Sequence, residues 1–248
     1  MMKTNSPIKV LAICASPRKG NSYFLLEKAL EAVEQLNLVP TEVNRFHFGQ
    51  KLFAPCDACM KHKVMQGQCR IKDSFQPLRD LWVGADAVLY AFPVYHMGIP
   101  GQLKCFIDRL GNSLGYYFQS GEPRTFHIPR LNKAMGFITQ GAHLYGGQDL
   151  ALNYMINHAL LMRCIPVPGD LPASYIGAGG WTGGQAGKSS LEKLFEEKDR
   201  DASNAVEAAQ QVARRTVEMA LIVKEGLRAA RHVFDEDLNY RYVLKNLD

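Results

Sequence analysis

A dense run of polar and turn-forming residues, Ser-Pro-Arg-Lys-Gly-Asn-Ser at 16–22, stands between an apolar segment and a helix-like pattern. A loop in that position aims backbone N–H groups and the positive end of the following helix at one point, which makes an anion site. Ser16, Asn21 and Ser22 add side-chain donors, and the Arg18 guanidinium can pair with a phosphate. Because the run is neither a G-x-G-x-x-G fingerprint nor a Walker A loop, it predicts a monophosphate ligand. The alternative is a polar turn in which Asn21 or Ser22 only caps the helix.

A second segment, Phe-Pro-Val-Tyr-His-Met-Gly-Ile-Pro-Gly at 92–101, follows a wholly apolar run. It offers an apolar and aromatic edge together with backbone polar groups, a combination that suits a planar heterocycle. We expect Tyr95 to pack on such a ring. The alternative is that Tyr95 is an ordinary surface aromatic residue.

Three of the six cysteines lie close together, at Cys56, Cys59 and Cys69, with His62 between them. Three thiolates and an imidazole suit tetrahedral zinc. A C-x-x-C pair can also exchange with a substrate as a dithiol. A loop that only carries free thiols is the third alternative.

Composition excludes several classes of protein. The 248 residues are 47% hydrophobic and 21% charged, and the net charge of +5 is spread along the chain without the basic stripe of a nucleic-acid binder. No apolar run approaches the roughly 20 residues that span a bilayer, and the first residues lack the apolar core of a signal peptide. We therefore expect a cytoplasmic protein that binds neither nucleic acid nor membrane.

Strand-like and helix-like segments alternate along the chain. The predicted strands are residues 8–14, 41–48, 86–92, 133–139 and 164–167, and the predicted helices begin near residue 23 and cover 73–83, 101–110 and 148–162. This alternation predicts a parallel sheet with helices on both faces. Ligands of such sheets bind beyond the carboxyl ends of the strands, which is where both polar segments fall.

The segments at 15–22 and at 93–110 (Pro-Val-Tyr through Pro-Gly-Gln-Leu-Lys-Cys-Phe-Ile-Asp-Arg-Leu) together resemble the NADPH-dependent FMN reductase and iron–sulfur flavoprotein group. The resemblance covers residues 8–168 in order. It implies a flavodoxin-like three-layer α/β/α sandwich whose five-stranded parallel sheet has the order 2-1-3-4-5. It also implies noncovalent FMN, with NAD(P)H as the electron donor.

By this resemblance the phosphate would lie on the loop at 16–22, the flavin ring against 93–98, and a third flavin loop would follow at 139–147. The residues so implied to bind FMN are Ser16, Arg18, Gly20, Asn21, Ser22, Pro93, Val94, Tyr95, His96, Met97, Gly98, Thr139, Gln140, Gly141 and Gly146.

The iron–sulfur branch of this group carries four cysteines where this chain has Cys56, Cys59 and Cys69. Here His62 stands in the place of the third cysteine, and Cys69 comes one residue late. Iron–sulfur clusters prefer four cysteine ligands. A cluster on these residues is therefore one alternative beside zinc, a dithiol and free thiols.

The implied activity is NAD(P)H-dependent reduction of FMN, a quinone or another small acceptor. The alternatives are an electron carrier that pairs FMN with a cluster and a flavin-binding sensor or docking module with little turnover. Because the flavin does the redox chemistry in such enzymes, no side-chain acid or base is singled out.

Residues 1–188 are predicted to form the FMN-binding domain, and 189–248 a helical extension that packs on the same domain or on a partner subunit. The segment 169–188, which holds seven glycines, is predicted to be irregular. Aromatic residues in an insertion at 112–130 would be costly if exposed. We expect this insertion and the extension at a subunit contact near the flavin, in a homodimer or homotetramer.

Overall fold

The computed structural model describes residues 6–118, 125–170 and 172–247. Its strands are β1 (Ile8–Cys14), β2 (Thr41–His47), β3 (Ala87–Pro93), β4 (Ala134–Gly141), β5 (Ile165–Pro166) and β6 (Ala178–Trp181). Its helices are α1 (Asn21–Glu34), α2 (Phe75–Gly84), α3 (Gly101–Tyr117), α4 (Gln148–Leu161), α5 (Ser190–Glu196), α6 (Arg200–Ala229), α7 (Arg231–Phe234) and α8 (Arg241–Lys245), with a 3-10 turn at Pro172–Ser174.

The sheet is parallel and has the order β2-β1-β3-β4-β5, which confirms the flavodoxin-like prediction. Strand β6, which the sequence analysis missed, also pairs with β4. Strand β5 pairs with the start of β4, where Ala134 lies beside Ile165, and β6 with its end, where Ile138 lies beside Ala178. Two short strands thus fill the fifth position of the sheet, and residues 167–177 leave the sheet between them.

Both faces of the sheet are covered. Along β3, Val88, Tyr90 and Phe92 belong to one hydrophobic cluster, and the alternating residues Leu89 and Ala91 belong to the other. A strand buried on both faces is apolar at every position, which is why β3 is readable as a continuous apolar run.

Helix α6 is part of the layer that covers the second face. Its apolar stripe, Ala209, Ala213, Val217 and Ala220, is buried against α1 and the sheet. Helix α6 of the predicted extension therefore packs on the same chain, and the described part of the extension forms four helices, α5 to α8. No helix in the described ranges combines the length and the apolar character needed to cross a bilayer.

The aromatic residues at 116–118 are packed within the chain itself. Tyr116 is buried against Phe126, and the Phe118 ring lies 4.3 Å from the ring of Tyr242 in the C-terminal segment. The chain thus buries Tyr116 and partly buries Phe118 without a partner, while the expected subunit contact of this insertion stays a prediction. Residues 119–124 of the predicted insertion lie outside the described residues.

His158 on α4 is buried beside Tyr90, with 6% of its surface exposed and, among the described residues, no hydrogen-bond partner for Nε2. Burial lowers its pKa to about 4. Because the folded-state pKa is below the unfolded value of about 6.5, the stability contributed by the neutral ring is complete above pH 6.5 and is lost as the pH falls toward 4.

We therefore expect the free energy of unfolding in urea to fall by up to about 3 kcal/mol between pH 7 and pH 4 through this one residue. The variant His158→Phe should show a correspondingly flatter profile, and His232→Gln, on the exposed helix α7, should keep the wild-type profile. Identical pH profiles for wild type and His158→Phe would contradict this assignment.

Candidate functional site

The predicted site residues converge at the carboxyl edge of the sheet, where β1, β3 and β4 end. A cavity of about 130 Å³ opens there. Its lining includes nine of the fifteen predicted residues: Ser16, Arg18, Asn21, Ser22, Pro93, Val94, Tyr95, Gln140 and Gly141. Ala142, which belongs to the predicted third flavin loop, also lines it, as do Gln185 and Ala186, which sequence reasoning missed.

The loop after β1 is shaped by the Ser16 side chain. Its Oγ accepts a hydrogen bond from the backbone N–H of Arg18 at 3.3 Å and donates one to the Arg18 carbonyl at 2.7 Å. Helix α1 then begins at Asn21 with Gly20 as its N-cap, and no described side chain caps it, so the predicted capping by Asn21 or Ser22 was wrong. The first N–H groups of a helix lack partners within the helix, so this helix start offers donors beside the cavity.

The Asn21 side chain does not cap the helix but binds the segment that follows β6. Its amide donates to the Gly187 carbonyl at 3.2 Å and its Oδ1 accepts from the Leu191 N–H at 3.2 Å. Arg18 donates to the Ala186 carbonyl at 3.2 Å. These bonds hold residues 185–191, hereafter the covering segment, over the loop that follows β1.

The covering segment could not be assigned from the sequence. It follows the missed strand β6, and its glycines suggested only an irregular chain. The approach is close, because a Cβ on Gly20 would lie 3.0 Å from the Lys188 carbonyl oxygen. The structure explains the contact through Asn21, which is 8% exposed and whose buried amide requires partners.

The segment after β3 forms a two-residue hairpin turn. The N–H of Tyr95 donates to the Gly98 carbonyl at 2.9 Å, and the N–H of Gly98 donates back to Tyr95 at 3.0 Å. The two central residues, His96 and Met97, have φ of 49° and 65°. Positive φ at both positions is the type I′ geometry, which favours Asn and Gly. Two larger side chains there store strain of a kind that clusters at functional sites.

Six predicted residues lie outside the cavity lining. Thr139 is fully buried and its hydroxyl donates to the Phe92 carbonyl at 3.1 Å, so its side chain supports the sheet instead. Gly20, the N-cap of α1, faces the Lys188 carbonyl. His96, Met97 and Gly98 form the rim turn, and Gly146 donates its N–H to the His143 carbonyl at 3.1 Å.

The cavity is electrically positive. Among its described lining residues Arg18 is the one charged side chain. Burial raises the pKa of the Cys14 thiol, at the end of β1, to about 12. Burial also lowers the pKa of His47 at the end of β2. Both groups are therefore predominantly uncharged at neutral pH, and the field at the loop comes from its cations and helix start.

These features fit the phosphate of FMN. A guanidinium, a helix start and buried hydroxyl and amide groups are the usual phosphate partners. A volume of about 130 Å³ corresponds to roughly four water molecules. This holds a phosphate but not a tricyclic ring, so a flavin ring would extend outward over the hairpin turn.

Residues 56–69, hereafter the cysteine segment, do not form a metal site. Within the described ranges, no three His, Cys, Asp or Glu side chains approach closely enough to hold an ion. Cys69 Sγ instead lies 3.2 Å from Nη2 of Arg109, and Asn112 is the polar neighbour of Cys56, 3.8 Å away. The predicted metal ligands Cys56, Cys59 and Cys69 are thus not assembled, and the residues do not fit an iron–sulfur cluster.

Arg109 organises this segment. It is fully buried and makes a two-pronged ion pair with Asp73, at 2.6 and 3.0 Å, and also donates to the Ala54 carbonyl at 3.1 Å. Although burial alone would raise it, the hydrogen bonds from Arg109 hold the pKa of Asp73 below its usual value. The Arg109 guanidinium also lies 4.3 Å from the Phe75 ring centre. A cation from α3 therefore holds the cysteine segment together.

The parallel sheet and the phosphate-sized cavity at its carboxyl edge define a flavodoxin-like protein. Residues 8–178, more than half of the chain, match the NADPH-dependent FMN reductase family. The chain belongs to this family and is a flavoprotein oxidoreductase.

Individual relatives agree with this assignment. An iron–sulfur flavoprotein of Archaeoglobus fulgidus is 30% identical over 193 residues, which cover 77% of this chain and 88% of that protein. An FMN-dependent NADH:quinone oxidoreductase of Sinorhizobium fredii is 26% identical over 106 residues, 43% of this chain and 50% of that protein. The structure of RosB with bound 8-demethyl-8-formylriboflavin-5'-phosphate shares the fold, with a TM-score of 0.61 at 16% identity over 93% of this chain and 87% of that one.

Gly147 tests the geometry of the rim. It has φ of 98°, and a Cβ there would lie 2.6 Å from Met97 Cα in the hairpin turn. We expect Gly147→Ala to lower the free energy of unfolding by about 2 kcal/mol or more, from left-handed strain and the backbone clash. The same variant should weaken FMN binding, measured by quenching of flavin fluorescence.

Gly226→Ala is the matched control. No described atom outside its own helix lies within 4 Å of a Cβ at Gly226 on α6. This change should raise the unfolding free energy by about 0.5–1 kcal/mol. Equal effects of the two substitutions would show that the rim turn does not depend on Gly147.

Proposed function

We propose that the protein is an NAD(P)H-dependent reductase that binds FMN through the loop at 16–22 and reduces a quinone, a free flavin or a similar small acceptor. The observation that carries this proposal is the cavity of one cation, one helix start and buried polar side chains at the end of β1. It adjoins a turn with an apolar, aromatic surface.

The proposal assigns the phosphate to Arg18, Ser22 and the N–H groups at the start of α1. Arg18 already binds the covering segment, so its charge would act on the phosphate while its position stays fixed. The flavin ring would lie on Pro93, Val94 and the turn at 95–98.

The acceptor would lie on the exposed side of this turn. Tyr95 is 47% exposed and Met97 51% exposed, which gives an apolar surface for a flat molecule beside the ring. The chemistry that FMN supplies when bound is hydride acceptance from a nicotinamide and electron donation to the acceptor. Because no carboxylate lies among the described lining residues, the protein's own part is to bind, orient and neutralise the phosphate.

We also propose a homodimer or homotetramer. Leu150, Tyr154 and Leu161 lie on one face of α4 with exposures of 50%, 40% and 73%. This face follows directly on the third flavin loop. Contiguous exposed apolar side chains of this kind mark interaction surfaces.

The second candidate is an electron carrier with a cluster at the cysteine segment. It is favoured by the name of the Archaeoglobus relative. The contacts of Cys69 and the absence of an assembled ligand set among the described residues argue against it. We therefore prefer the small-molecule reductase.

Ser22 tests the phosphate assignment. Ser22→Ala should weaken FMN binding about fivefold, the equivalent of about 1 kcal/mol for one hydrogen bond, and leave riboflavin affinity unchanged because riboflavin has no phosphate. Ser203→Ala, whose hydroxyl binds the Asp199 carbonyl on α6, is the control and should change neither affinity. Equal losses for FMN and riboflavin in Ser22→Ala would place the phosphate elsewhere.

Cys59 separates the two candidate functions. If electrons pass from the flavin directly to a small acceptor, Cys59→Ser should keep FMN content and NAD(P)H–quinone turnover within about twofold of wild type. Cys105→Ser, on α3 outside the cysteine segment, should behave alike. Joint loss of turnover and of a brown chromophore from anaerobically purified Cys59→Ser would favour the electron carrier.

A further inference from the structure

The amino edge of the sheet, opposite the flavin edge, holds a second and larger cavity. Its volume is about 300 Å³, which reaches the lower end of the range for small-molecule sites. It lies between the starts of β1, β3 and β4, the end of α6, and the C-terminal segment with α8. It shares no lining residue with the cavity at the carboxyl edge.

The charge of this cavity is unbalanced. Four lysines line it, Lys9, Lys133, Lys224 and Lys245, and Asp86 is the single acid among its described lining residues. Asp86 is already occupied, since its Oδ2 accepts from the Lys9 backbone N–H at 2.9 Å and from Lys224 Nζ at 3.0 Å. The cavity therefore has an excess of positive charge.

Lys133 is 6% exposed, and one of its three ammonium N–H groups has no hydrogen-bond acceptor among the described residues. Its Nζ donates to the carbonyls of Val83, at 2.9 Å, and Ala85, while the Trp82 ring centre lies 5.4 Å away. An ammonium group has three N–H donors. Within the described residues the third has no acceptor. Burial lowers the pKa of Lys133 to about 8, so the group is still predominantly charged at pH 7.

Lys224 on α6 has the same arrangement and is 7% exposed. Its Nζ donates to the Pro7 carbonyl at 3.2 Å and to Asp86. Its third N–H likewise meets no acceptor in the described part of the chain. The acceptors of the two lysines include the neighbouring residues Ala85 and Asp86, so both ammonium groups lie at the same part of the cavity.

The remaining wall is apolar. Leu131, Val223, Leu227 and Leu247 line it, together with the ring of Tyr242. An inorganic anion alone would leave these apolar side chains exposed to water. A volume of about 300 Å³ accommodates roughly ten water-sized groups.

We propose that this cavity is a binding site for a small organic carboxylate with an aromatic or aliphatic body, its carboxylate held between Lys133 and Lys224. The carboxylate supplies the acceptors that the two buried ammonium groups lack. The body of the ligand covers the apolar wall. This site is independent of the FMN site and of the reductase proposal.

The FMN-loaded protein can be titrated with benzoate and followed by the indole N–H resonances in its 1H–15N spectrum. The chain has two tryptophans. The Trp82 ring lies next to the Lys133 ammonium group. Trp181, at the end of β6, instead donates its indole N–H to Asp201 on α6. Benzoate should shift the Trp82 resonance alone, with a dissociation constant on the order of 1 mM for a ligand of this size.

Three lysine variants test which side chains bind the carboxylate of benzoate. Lys224→Gln should weaken benzoate about tenfold, and Lys245→Gln, at the exposed rim, about two- to fivefold. Lys198→Gln, between α5 and α6, should have no effect and serves as the matched lysine control. If Lys224→Gln fails to fold, the Lys245→Gln titration still tests the site.

Two further probes each lack one part of benzoate: benzyl alcohol has no charge, and inorganic phosphate has no apolar body. Benzyl alcohol and inorganic phosphate should each bind at least tenfold more weakly than benzoate. Benzyl alcohol equal to benzoate would show that the lysines do not bind the ligand, and phosphate equal to benzoate would show that the apolar wall does not. Either result, or a Trp181 shift as large as that of Trp82, would overturn the proposal.

Discussion

Complete burial of the central strands is the constraint on which the rest of this structure depends. All eight residues of β4 are buried, and β3, β5 and β6 all pair with it. Central strands covered on both faces leave no side chain free to reach solvent except at the strand ends. Polar chemistry on these strands is therefore confined to the two edges of the sheet, and both cavities lie there.

The sequence predicts those parts of the fold that depend on local pattern. The strands at 8–14 and 86–92 are apolar because both faces are covered, and the chain order of strands and helices leaves few topologies. Strand β6 escaped because Ala-Gly-Gly-Trp carries no β-branched pattern, and its strand character comes from pairing with β4. The same tertiary dependence hid Gln185 and Ala186 of the site. The carbonyl of Ala186 accepts from Arg18 and that of the next residue, Gly187, accepts from Asn21, across more than 160 positions in the chain.

The cysteine segment shows where spacing alone is insufficient. Cys56, Cys59 and Cys69 have nearly the spacing of a ligand set, yet the group that contacts Cys69 is a guanidinium from α3, 40 positions away. Removing one partner of a buried ion pair typically costs about 3–5 kcal/mol. Removing either Arg109 or Asp73 would leave the other charge buried without a partner, so the conformation of the segment has an explanation that needs no metal. No local sequence pattern reveals that Arg109 is buried.

The strained turn at 95–98 is held by the same sheet. Left-handed residues such as His96 and Met97 cost about 1–3 kcal/mol each and persist only where their surroundings fix them. Here the turn begins two residues after β3, and Val94 donates its N–H to the Gln140 carbonyl of β4. On the other side, Gly147 at the start of α4 lies in backbone contact with Met97. The loops after β3 and β4 are therefore one rigid unit, so a planar ring bound at this edge meets a preformed surface. The conformational entropy that a mobile loop would lose on binding is here lost during folding instead.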